Sequence, residues 1–245
     1  MLAFLCNSTA MESSSFIFRQ HFETESSTYT YILADAKTNE AIIIDPVLET
    51  VDRDLKVLEE LGLKLLYSFE THVHADHITG AEIIRKRTGA KTAIGKGSKV
   101  DCADILLEDG QELSFGSHKI RALSTPGHTD SCTSYVVGTR VFTGDTLLIR
   151  GTGRTDFQQG NSEKMFESVR NKLFTLPSDT LVYPAHDYKG MTCSSIGEEI
   201  KFNPRLGMSK TKEEFVEIMR NLKLADPKRI QEAVPANMQC GRKIG

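Results

Sequence analysis

Five of the seven histidines in this 245-residue chain lie in three short motifs, and one motif packs three histidines and an aspartate into six residues. That segment, His-Val-His-Ala-Asp-His over 72–77, directly follows the apolar run 65–69. The other two histidines are His128, in Thr-Pro-Gly-His-Thr, and His186, in Tyr-Pro-Ala-His-Asp, and a carboxylate follows in Gly144-Asp145. Neutral imidazoles and carboxylates are ligands of borderline divalent metals. The pattern therefore predicts a metal site that the fold assembles from distant segments.

Each of these segments follows or ends a strand-like apolar run. If the chain through Phe69–His74 is still extended, the first two histidines of the motif point to the same side, because strand side chains alternate. The motif's aspartate and third histidine then fall where a predicted helix begins, over Ile78–Arg87, which Gly89 ends. Strand ends that run into loops are where α/β proteins place ligands. The same architecture is predicted for the residues after 120–123, 140–142 and 180–183.

Composition indicates one enzyme-sized domain. With 39% hydrophobic residues the chain can bury a single large core. A formal net charge of −3 leaves no electrostatic footprint for nucleic acid. No stretch approaches the ~20 apolar residues of a membrane span. We expect neither a nucleic-acid nor a membrane partner, and we expect a flexible N-terminal segment over 1–15 followed by a single domain over 16–245.

The cysteines and the first residues bear on the compartment. An odd number of scattered cysteines without a CxxC motif predicts free thiols in a reducing compartment, with no disulfide framework. The first fifteen residues are rich in serine but lack arginine and lysine, whereas organellar presequences are usually rich in arginine. The residues alone leave the compartment open. The five cysteines are Cys6, Cys102, Cys132, Cys193 and Cys240.

Periodicity predicts a strand-rich first half with helix insertions, then a second strand-rich half that ends in helices. Predicted strands cover 16–19, 28–34, 40–47, 65–69, 92–94, 105–107, 112–115, 118–123, 131–137, 140–142 and 180–183. Predicted helices cover 51–61, 78–87, 162–173, 212–221 and 227–232. We interpret this order as an α/β fold of two mixed sheets packed together with helices outside, an αβ/βα sandwich.

The ligand motifs resemble those of the metallo-β-lactamase superfamily: HxHxDH, a downstream histidine, a bridging aspartate and a final histidine. The resemblance covers nearly the whole chain and implies the metallo-β-lactamase form of this sandwich. Two subfamilies compete, glyoxalase II, a binuclear thioesterase acting on S-lactoylglutathione, and the persulfide dioxygenases. Glyoxalase II usually has an aromatic residue where this chain has Ala75. The segments 142–160, 183–188, 203–206 and 235–241 closely resemble the persulfide dioxygenase pattern.

The persulfide dioxygenase resemblance implies one Fe(II) per chain, held at a catalytic centre by His72, His128 and Asp145. Two imidazoles and one carboxylate form the facial triad of non-haem iron oxygenases, which leaves positions for a persulfide sulfur and O₂. A binuclear hydrolase of S-lactoylglutathione would use the remaining polar residues as a second metal site, and this alternative stays open. Otherwise these residues orient ligands and waters: His74, Asp76, His77 and His186, with Thr143 positioning the Asp145 loop.

The implied substrate is glutathione persulfide, oxidised with O₂ to sulfite and glutathione in sulfide catabolism. Because glutathione carries two carboxylates, we expect Arg154, Tyr188 and Arg205 to bind it. The family also implies a homodimer and a mitochondrial location, with a cytoplasmic one as the alternative. A non-catalytic metal-binding scaffold is a further alternative that the intact ligand set disfavours. The lone histidines His21 and His118 lie outside the motifs and are expected to be structural. Cys240, in the terminal segment 235–241, is also expected to be structural, with the carrying of sulfur or oxidation of its thiol as the alternative.

Overall fold

Two six-stranded sheets form the centre of the computed structural model, which describes residues 15–227 and 229–242. The first sheet has the order β1 (Phe16–Glu23), β2 (Thr28–Asp35), β3 (Glu40–Ile44), β4 (Lys64–Glu70), β5 (Lys91–Gly95) and β6 (Ile105–Leu107). The second has the order β12 (Ser194–Ser195), β11 (Leu181–Pro184), β10 (Arg140–Gly144), β9 (Thr133–Val137), β8 (His118–Ser124) and β7 (Glu112–Phe115). Both combine parallel and antiparallel pairs, as predicted.

Helices cover the outer face of each sheet. They are α1 (Val51–Glu60), α2 (Ala81–Thr88), α3 (Ser162–Asn171), α4 (Ile196–Phe202), α5 (Lys212–Arg220) and α6 (Ile230–Asn237). Leu58 of α1 and Ile84 of α2 pack on the first sheet, whereas Val169 of α3 and Phe215 of α5 pack on the second. The predicted αβ/βα sandwich is confirmed.

The side chains of β2, which point alternately to the two faces of the sheet, show why these strands lie in the centre. Tyr31 and Leu33 enter the core between the two sheets, while their neighbours Ile32 and Ala34 pack under the helices on the other face. Since strand side chains alternate with period two, a strand covered on both sides must be apolar at successive positions. The loops at the strand ends are thereby held on a rigid frame.

The helix predictions fail in three places. The short helix α4 was not predicted from the sequence; Ser195 caps it by accepting a hydrogen bond from the N–H of Glu198. The last helix lies three to five residues further along than predicted and continues through Pro235, a residue that normally ends helices. Helix α2 begins at Ala81, so the end of the HxHxDH motif is loop.

The free-thiol prediction is wrong for one pair of cysteines. Cys102, between β5 and β6, forms a disulfide with Cys240, just after α6. The two residues are 138 positions apart, and only the docking of α6 against the first sheet brings them together. Cys132 and Cys193 are free, as predicted. Cys6 lies outside the described residues.

The predicted flexible segment also lies outside the described residues, except for Ser15. That residue is buried, and its carbonyl oxygen accepts a hydrogen bond from the N–H of Ala36 at 2.6 Å. Over residues 15–227 and 229–242, no helix combines the length and the apolar character that crossing a membrane requires.

Candidate metal centre

The histidine motifs meet where four strands end. His72 follows the end of β4, His128 follows β8, Asp145 directly follows β10, and His186 follows β11. The expectation of an extended chain through His74 is wrong, because β4 ends at Glu70. The rings of His72 and His74 nevertheless lie 4.0 Å apart between centroids, in a loop.

The three predicted iron ligands lie together, and we call them the triad: His72, His128 and Asp145. Each offers one ligand atom, these atoms all lie within 4.8 Å of one another, and all three residues are buried. Nε2 of His128 lies 3.5 Å from Oδ2 of Asp145. The rings of the two histidines are nearly perpendicular, with 4.9 Å between centroids. A single cation fits between three donors so arranged.

Neighbouring groups orient the triad histidines. Nδ1 of His128 lies 2.7 Å from the carbonyl oxygen of Arg154. Because a carbonyl oxygen only accepts, Nδ1 donates this hydrogen bond, and Nε2 is the nitrogen that faces Asp145 and a metal. Nδ1 of His72 lies 2.9 Å from the hydroxyl oxygen of Thr71, which leaves Nε2 of this ring for a metal as well. Outer hydrogen bonds of this kind are typical of metal-binding histidines.

The charge state of the triad also suits a cation. Burial, together with the neighbouring His74 and His128, holds the pKa of His72 well below its usual range, so this ring is neutral. Oδ1 of Asp145 is buried without a hydrogen-bond partner among the described residues. Buried polar atoms are normally paired, so an unpaired carboxylate oxygen beside two imidazoles fits a metal ligand.

A second set of residues lies beside the triad, and we call it the outer group: His74, Asp76, His77 and His186. Ligand atoms of all but His77 again lie within 4.8 Å of one another. The carboxylate of Asp76 already has polar partners within the protein. Its Oδ2 is 2.9 Å from Nδ1 of His77 and accepts a hydrogen bond from the hydroxyl of Thr28 at 3.2 Å. Burial raises the pKa of Asp76, but His77 and His186 outweigh it and hold this pKa well below its usual range.

Two nitrogens of the outer group remain without hydrogen-bond partners in the described part of the chain, namely Nδ1 of His74 and Nε2 of His77. Nε2 of His186 lies 3.7 Å from Asp76 and 3.7 Å from Asp145, so His186 bridges the two sets. The complete outer group keeps the geometry that a second metal would need.

Asp45, which is not among the predicted site residues, organises the HxHxDH loop. This buried aspartate directly follows β3 with a left-handed φ of 50°. Its carboxylate accepts hydrogen bonds from the N–H and the hydroxyl of Thr71, at 2.7 and 2.9 Å, and lies 3.1 Å from Nε2 of His74. Burial lowers the pKa of His74, but Asp45 and other carboxylates raise it to about 10. The signal was available, since Asp45 ends a strand as Asp145 does.

A cavity of about 420 Å³ opens beside the triad. His128, Asp145, Asp76 and His186 form its polar wall. The rest of the lining is largely apolar and includes Leu148, Phe157, Leu224, Ala225 and Pro227. Small-molecule sites commonly combine such an apolar lining with a few convergent polar groups. The cavity therefore gives a ligand access to the metal centre.

The structure places two of the three predicted substrate-binding residues at this cavity. Tyr188 lines it, stacks nearly parallel to His186 and is largely exposed. Arg154 also lines it, with Nε and Nη2 donating to the Asp156 carboxylate at 2.7 and 2.8 Å. Arg205 is not among the lining residues; its Nη1 donates to the carbonyl oxygen of Thr152 at 2.9 Å. Arg205 thus contacts the cavity only indirectly, through the lining residue Thr152.

The remaining predicted residues have structural contacts. The hydroxyl of Thr143 donates to the carbonyl of Leu147 at 2.6 Å, which closes the loop that carries Asp145. Nδ1 of His21 lies 2.7 Å from the buried carboxylate of Asp54. His118 packs against aromatic rings at the start of β8. Neither of these two histidines is near the metal centre.

Comparison with known proteins agrees with this geometry. Residues 24–186 match the metallo-β-lactamase superfamily. The mitochondrial persulfide dioxygenase ETHE1 of Homo sapiens is 50% identical over 228 residues, which cover 92% of this chain and 89% of the human protein. The crystal structure of ETHE1 from Myxococcus xanthus superposes with a TM-score of 0.90 at 53% identity, over 92% of this chain and 100% of that one.

A glyoxylase is a more distant relative. Glyoxylase B2 of Dictyostelium discoideum is 32% identical and covers 89% of this chain, with 89% of its own length matched. The identity to the persulfide dioxygenases is much higher over a similar share of the chain. The motifs between 142 and 241 also resemble the persulfide dioxygenase pattern, in agreement with this higher identity. The chain is therefore an enzyme of the persulfide dioxygenase family, within the metallo-β-lactamase superfamily.

Proposed function

We propose that this enzyme is a mononuclear non-haem iron dioxygenase that oxidises glutathione persulfide in sulfide catabolism. The overall reaction consumes one persulfide, one O₂ and one water and yields glutathione, sulfite and two protons. The S–S bond of the persulfide breaks, and its terminal sulfur acquires three oxygens. The observation that carries the proposal is the triad of two histidines and one carboxylate, which fits a facial iron site beside an open cavity.

The protein's part in this chemistry is to hold the donors and shape the cavity. Bound ferrous iron would supply the redox chemistry between persulfide and O₂, which zinc lacks because it has no accessible second oxidation state. The hydrogen bond from His128 to the Arg154 carbonyl fixes the ring that faces the cavity. Leu148 and Phe157 give the cavity an apolar lining, and an apolar surrounding strengthens the polar interactions inside it.

We propose that the outer group orients the ligands of the triad. His186 lies between the carboxylates of Asp76 and Asp145, and burial opposes but does not cancel their effect, so its pKa is raised above the usual value. The raised pKa favours the protonated form of His186, and in that form the ring stabilises the negative charge of Asp145, 3.7 Å away. Asp76 is fixed in turn by His77 and Thr28.

Substrate recognition is proposed for Arg154 and Tyr188, with Arg205 acting through Thr152. A planar guanidinium suits a carboxylate of glutathione, and Arg154 lies at the cavity wall. Asp156 forms an ion pair with that guanidinium, so a substrate carboxylate would have to displace Asp156 in order to bind there. Tyr188 offers a phenol and an exposed ring at the mouth.

The second candidate function is hydrolysis of S-lactoylglutathione by a binuclear site. The observation that favours it is the intact outer group, with its two unpaired imidazole nitrogens. Both candidate reactions would use the same cavity and a glutathione conjugate. They differ in the number of metals and in the need for O₂.

We further propose a single domain over 16–245, a homodimer, and a mitochondrial location with the cytoplasm as the alternative. The location rests on the human, bovine and mouse relatives, whose names describe them as mitochondrial. Light scattering on the purified protein would measure the oligomeric state, with a mass of twice 27.3 kDa expected for the dimer.

The deciding experiment runs two assays on one preparation of iron-loaded protein. O₂ consumption is followed with glutathione persulfide, and thioester hydrolysis is followed with S-lactoylglutathione. We expect one O₂ consumed per sulfite formed and no hydrolysis above the rate of the metal-free protein. Hydrolysis without O₂ uptake would instead establish the second candidate.

A further inference from the structure

The C-terminal helix α6 lies directly against the HxHxDH loop, and one side chain makes most of the polar contact. Asn237 is buried, and its Nδ2 donates to the carbonyl oxygens of His74 and His77 at 2.9 and 2.8 Å. Its Oδ1 accepts from the N–H of Thr79 at 2.9 Å. A side-chain amide has two donor hydrogens and one acceptor oxygen, so all of its polar groups are used on this loop. Asn237 thereby fixes the backbone on both sides of Asp76.

The residues after α6 continue the contact. The carbonyl oxygen of Cys240 accepts a hydrogen bond from the N–H of Glu82 at 3.1 Å, and Nε of Arg242 lies 3.2 Å from the Glu82 carboxylate. Gly241 approaches Thr79 so closely that a Cβ would lie 2.2 Å from its carbonyl oxygen. The fit therefore leaves no room for a side chain at this position.

Apolar contacts and a covalent bond hold the helix in place. Ala233 and Ala236 pack on Ile78, at the end of the metal loop. The disulfide joins Cys240, three residues after Asn237, to Cys102 in the connection between β5 and β6. The disulfide thus attaches the end of α6 to the frame that carries β4 and the metal loop. Such a cross-link reduces the conformations open to the chain when local contacts break.

We infer that α6 is a clamp on the HxHxDH loop, with Asn237 as its positioning residue and the Cys102–Cys240 disulfide as its tether. The inference deepens the proposed function, on which it rests for the role of His72 as a metal ligand in that loop. It assigns a task at the metal centre to a residue more than 150 positions away in the chain from the motif that it holds.

The tether also makes the clamp sensitive to thiol redox state. A dithiol reductant breaks the S–S bond by supplying two electrons and two protons, which gives the Cys102 and Cys240 thiols and converts the dithiol to its own disulfide. Cys102 is only half-buried, so its sulfur is the side of the bond that a reductant reaches. Reduction leaves the three hydrogen bonds of Asn237 in place but removes the covalent restraint on their helix. The effect of reduction is therefore smaller than that of changing Asn237.

The test measures the metal centre directly, with cobalt(II) as the probe ion. Asn237→Asp keeps the shape and the acceptor oxygen but removes both donations to the loop. The matched control is Asn203→Asp, at an equally buried asparagine whose amide donates to Gly151 and Glu199. We expect Asn237→Asp to release cobalt to a chelator ~10–100-fold more readily, as the loss of ligand-orienting contacts does, and to change the visible spectrum of the bound ion. We expect Asn203→Asp to lower thermal stability without changing that spectrum.

A second pair of variants keeps the inference testable if Asn237→Asp fails to fold. Cys102→Ser removes the tether, and Cys193→Ser, at an exposed free cysteine, is its control. We expect faster cobalt release from Cys102→Ser than from the wild type, an increase that a dithiol reproduces in the wild type and not in the variant. Wild-type spectra and release rates in both Asn237→Asp and Cys102→Ser would overturn the clamp. Because no turnover is measured, this result is independent of whether the enzyme oxidises persulfide.

Discussion

The triad and the outer group are built from the same residue types, but they differ in how their carboxylates are used. In the triad, Oδ1 of Asp145 has no hydrogen-bond partner among the described residues. In the outer group, Oδ2 of Asp76 already contacts His77 and accepts a hydrogen bond from Thr28. A carboxylate oxygen without a hydrogen-bond partner is free to bind a metal, whereas one that is already hydrogen-bonded must give up those contacts first.

The histidines differ in the same sense. The triad rings are oriented by neutral groups, a threonine hydroxyl for His72 and a backbone carbonyl for His128, and their other nitrogens are free for a metal. In the outer group His77 pairs with Asp76 and His74 with Asp45. Two sets that are nearly indistinguishable in sequence thus have different tasks. We propose that one set holds the ion and that the other holds the first set in place.

The largest expected effect comes from removing a triad ligand. In the proposed site His128→Ala deletes one of the three protein donors of the triad, so we expect loss of most of the iron and of persulfide oxidation. Elemental analysis after dialysis measures the iron. His118→Ala, at a histidine far from the centre, is the control and should keep both metal and activity. Retention of a full iron complement by His128→Ala would show that His128 is not a ligand.

A smaller effect is expected in the outer group. His186→Ala removes the bridge between Asp76 and Asp145 but no triad donor. We expect iron to stay bound and kcat to fall ~10–100-fold, the usual cost of losing a residue that orients ligands. If His186→Ala loses iron as completely as His128→Ala, the proposed difference between the triad and the outer group is wrong, because the two sets would then act as one binuclear site.

The third effect concerns binding of the substrate. Arg154→Ala removes a charge-assisted contact worth roughly 1.5–3 kcal/mol, which corresponds to a rise in KM of about ten- to hundredfold with iron content unchanged. Steady-state kinetics with glutathione persulfide measures it. Asp156→Asn is the partner variant, since it frees the guanidinium and should leave KM unchanged or lower. An unchanged KM in Arg154→Ala would assign this arginine to the ion pair with Asp156 alone.

The smallest effect separates stability from metal binding. Asn161 caps α3, on the outer face of the second sheet, by accepting a hydrogen bond from the N–H of Lys164. Loss of such a cap costs about 1 kcal/mol, which for a chain of this size lowers Tm by about 2–4 °C. We expect Asn161→Ala to show this shift by calorimetry with wild-type iron content. A loss of iron in this variant would mean that global destabilisation, and not ligand removal, empties the centre.

Much of the fold could be predicted from the sequence because its signals are local. Apolar runs with strand length and ligand residues at their ends fixed the two sheets and the positions of His72, His128 and Asp145. The layer order follows from strands that are apolar on both faces, such as β2. These signals depend on residues that are neighbours in the chain.

The parts that could not be predicted depend on contacts between distant segments. The Cys102–Cys240 disulfide spans 138 positions, and the odd cysteine count argued against it. The pairing of Arg154 with Asp156 and Ala225 is another case, because sequence shows that an arginine is near a ligand but not which acceptor holds it. Asn237 lies in the segment 235–241 that resembles the persulfide dioxygenase pattern, but nothing in the sequence shows that its side chain contacts the HxHxDH loop.

The most direct test of the difference between the two sets is an anaerobic titration of metal-free protein with iron(II), followed by an assay of persulfide oxidation at each point. We expect the activity to rise linearly and to reach its plateau at one iron per chain, with further iron bound weakly and without effect on activity. Activity that continues to rise until two irons are bound per chain would contradict it, because the outer group would then hold a second functional metal.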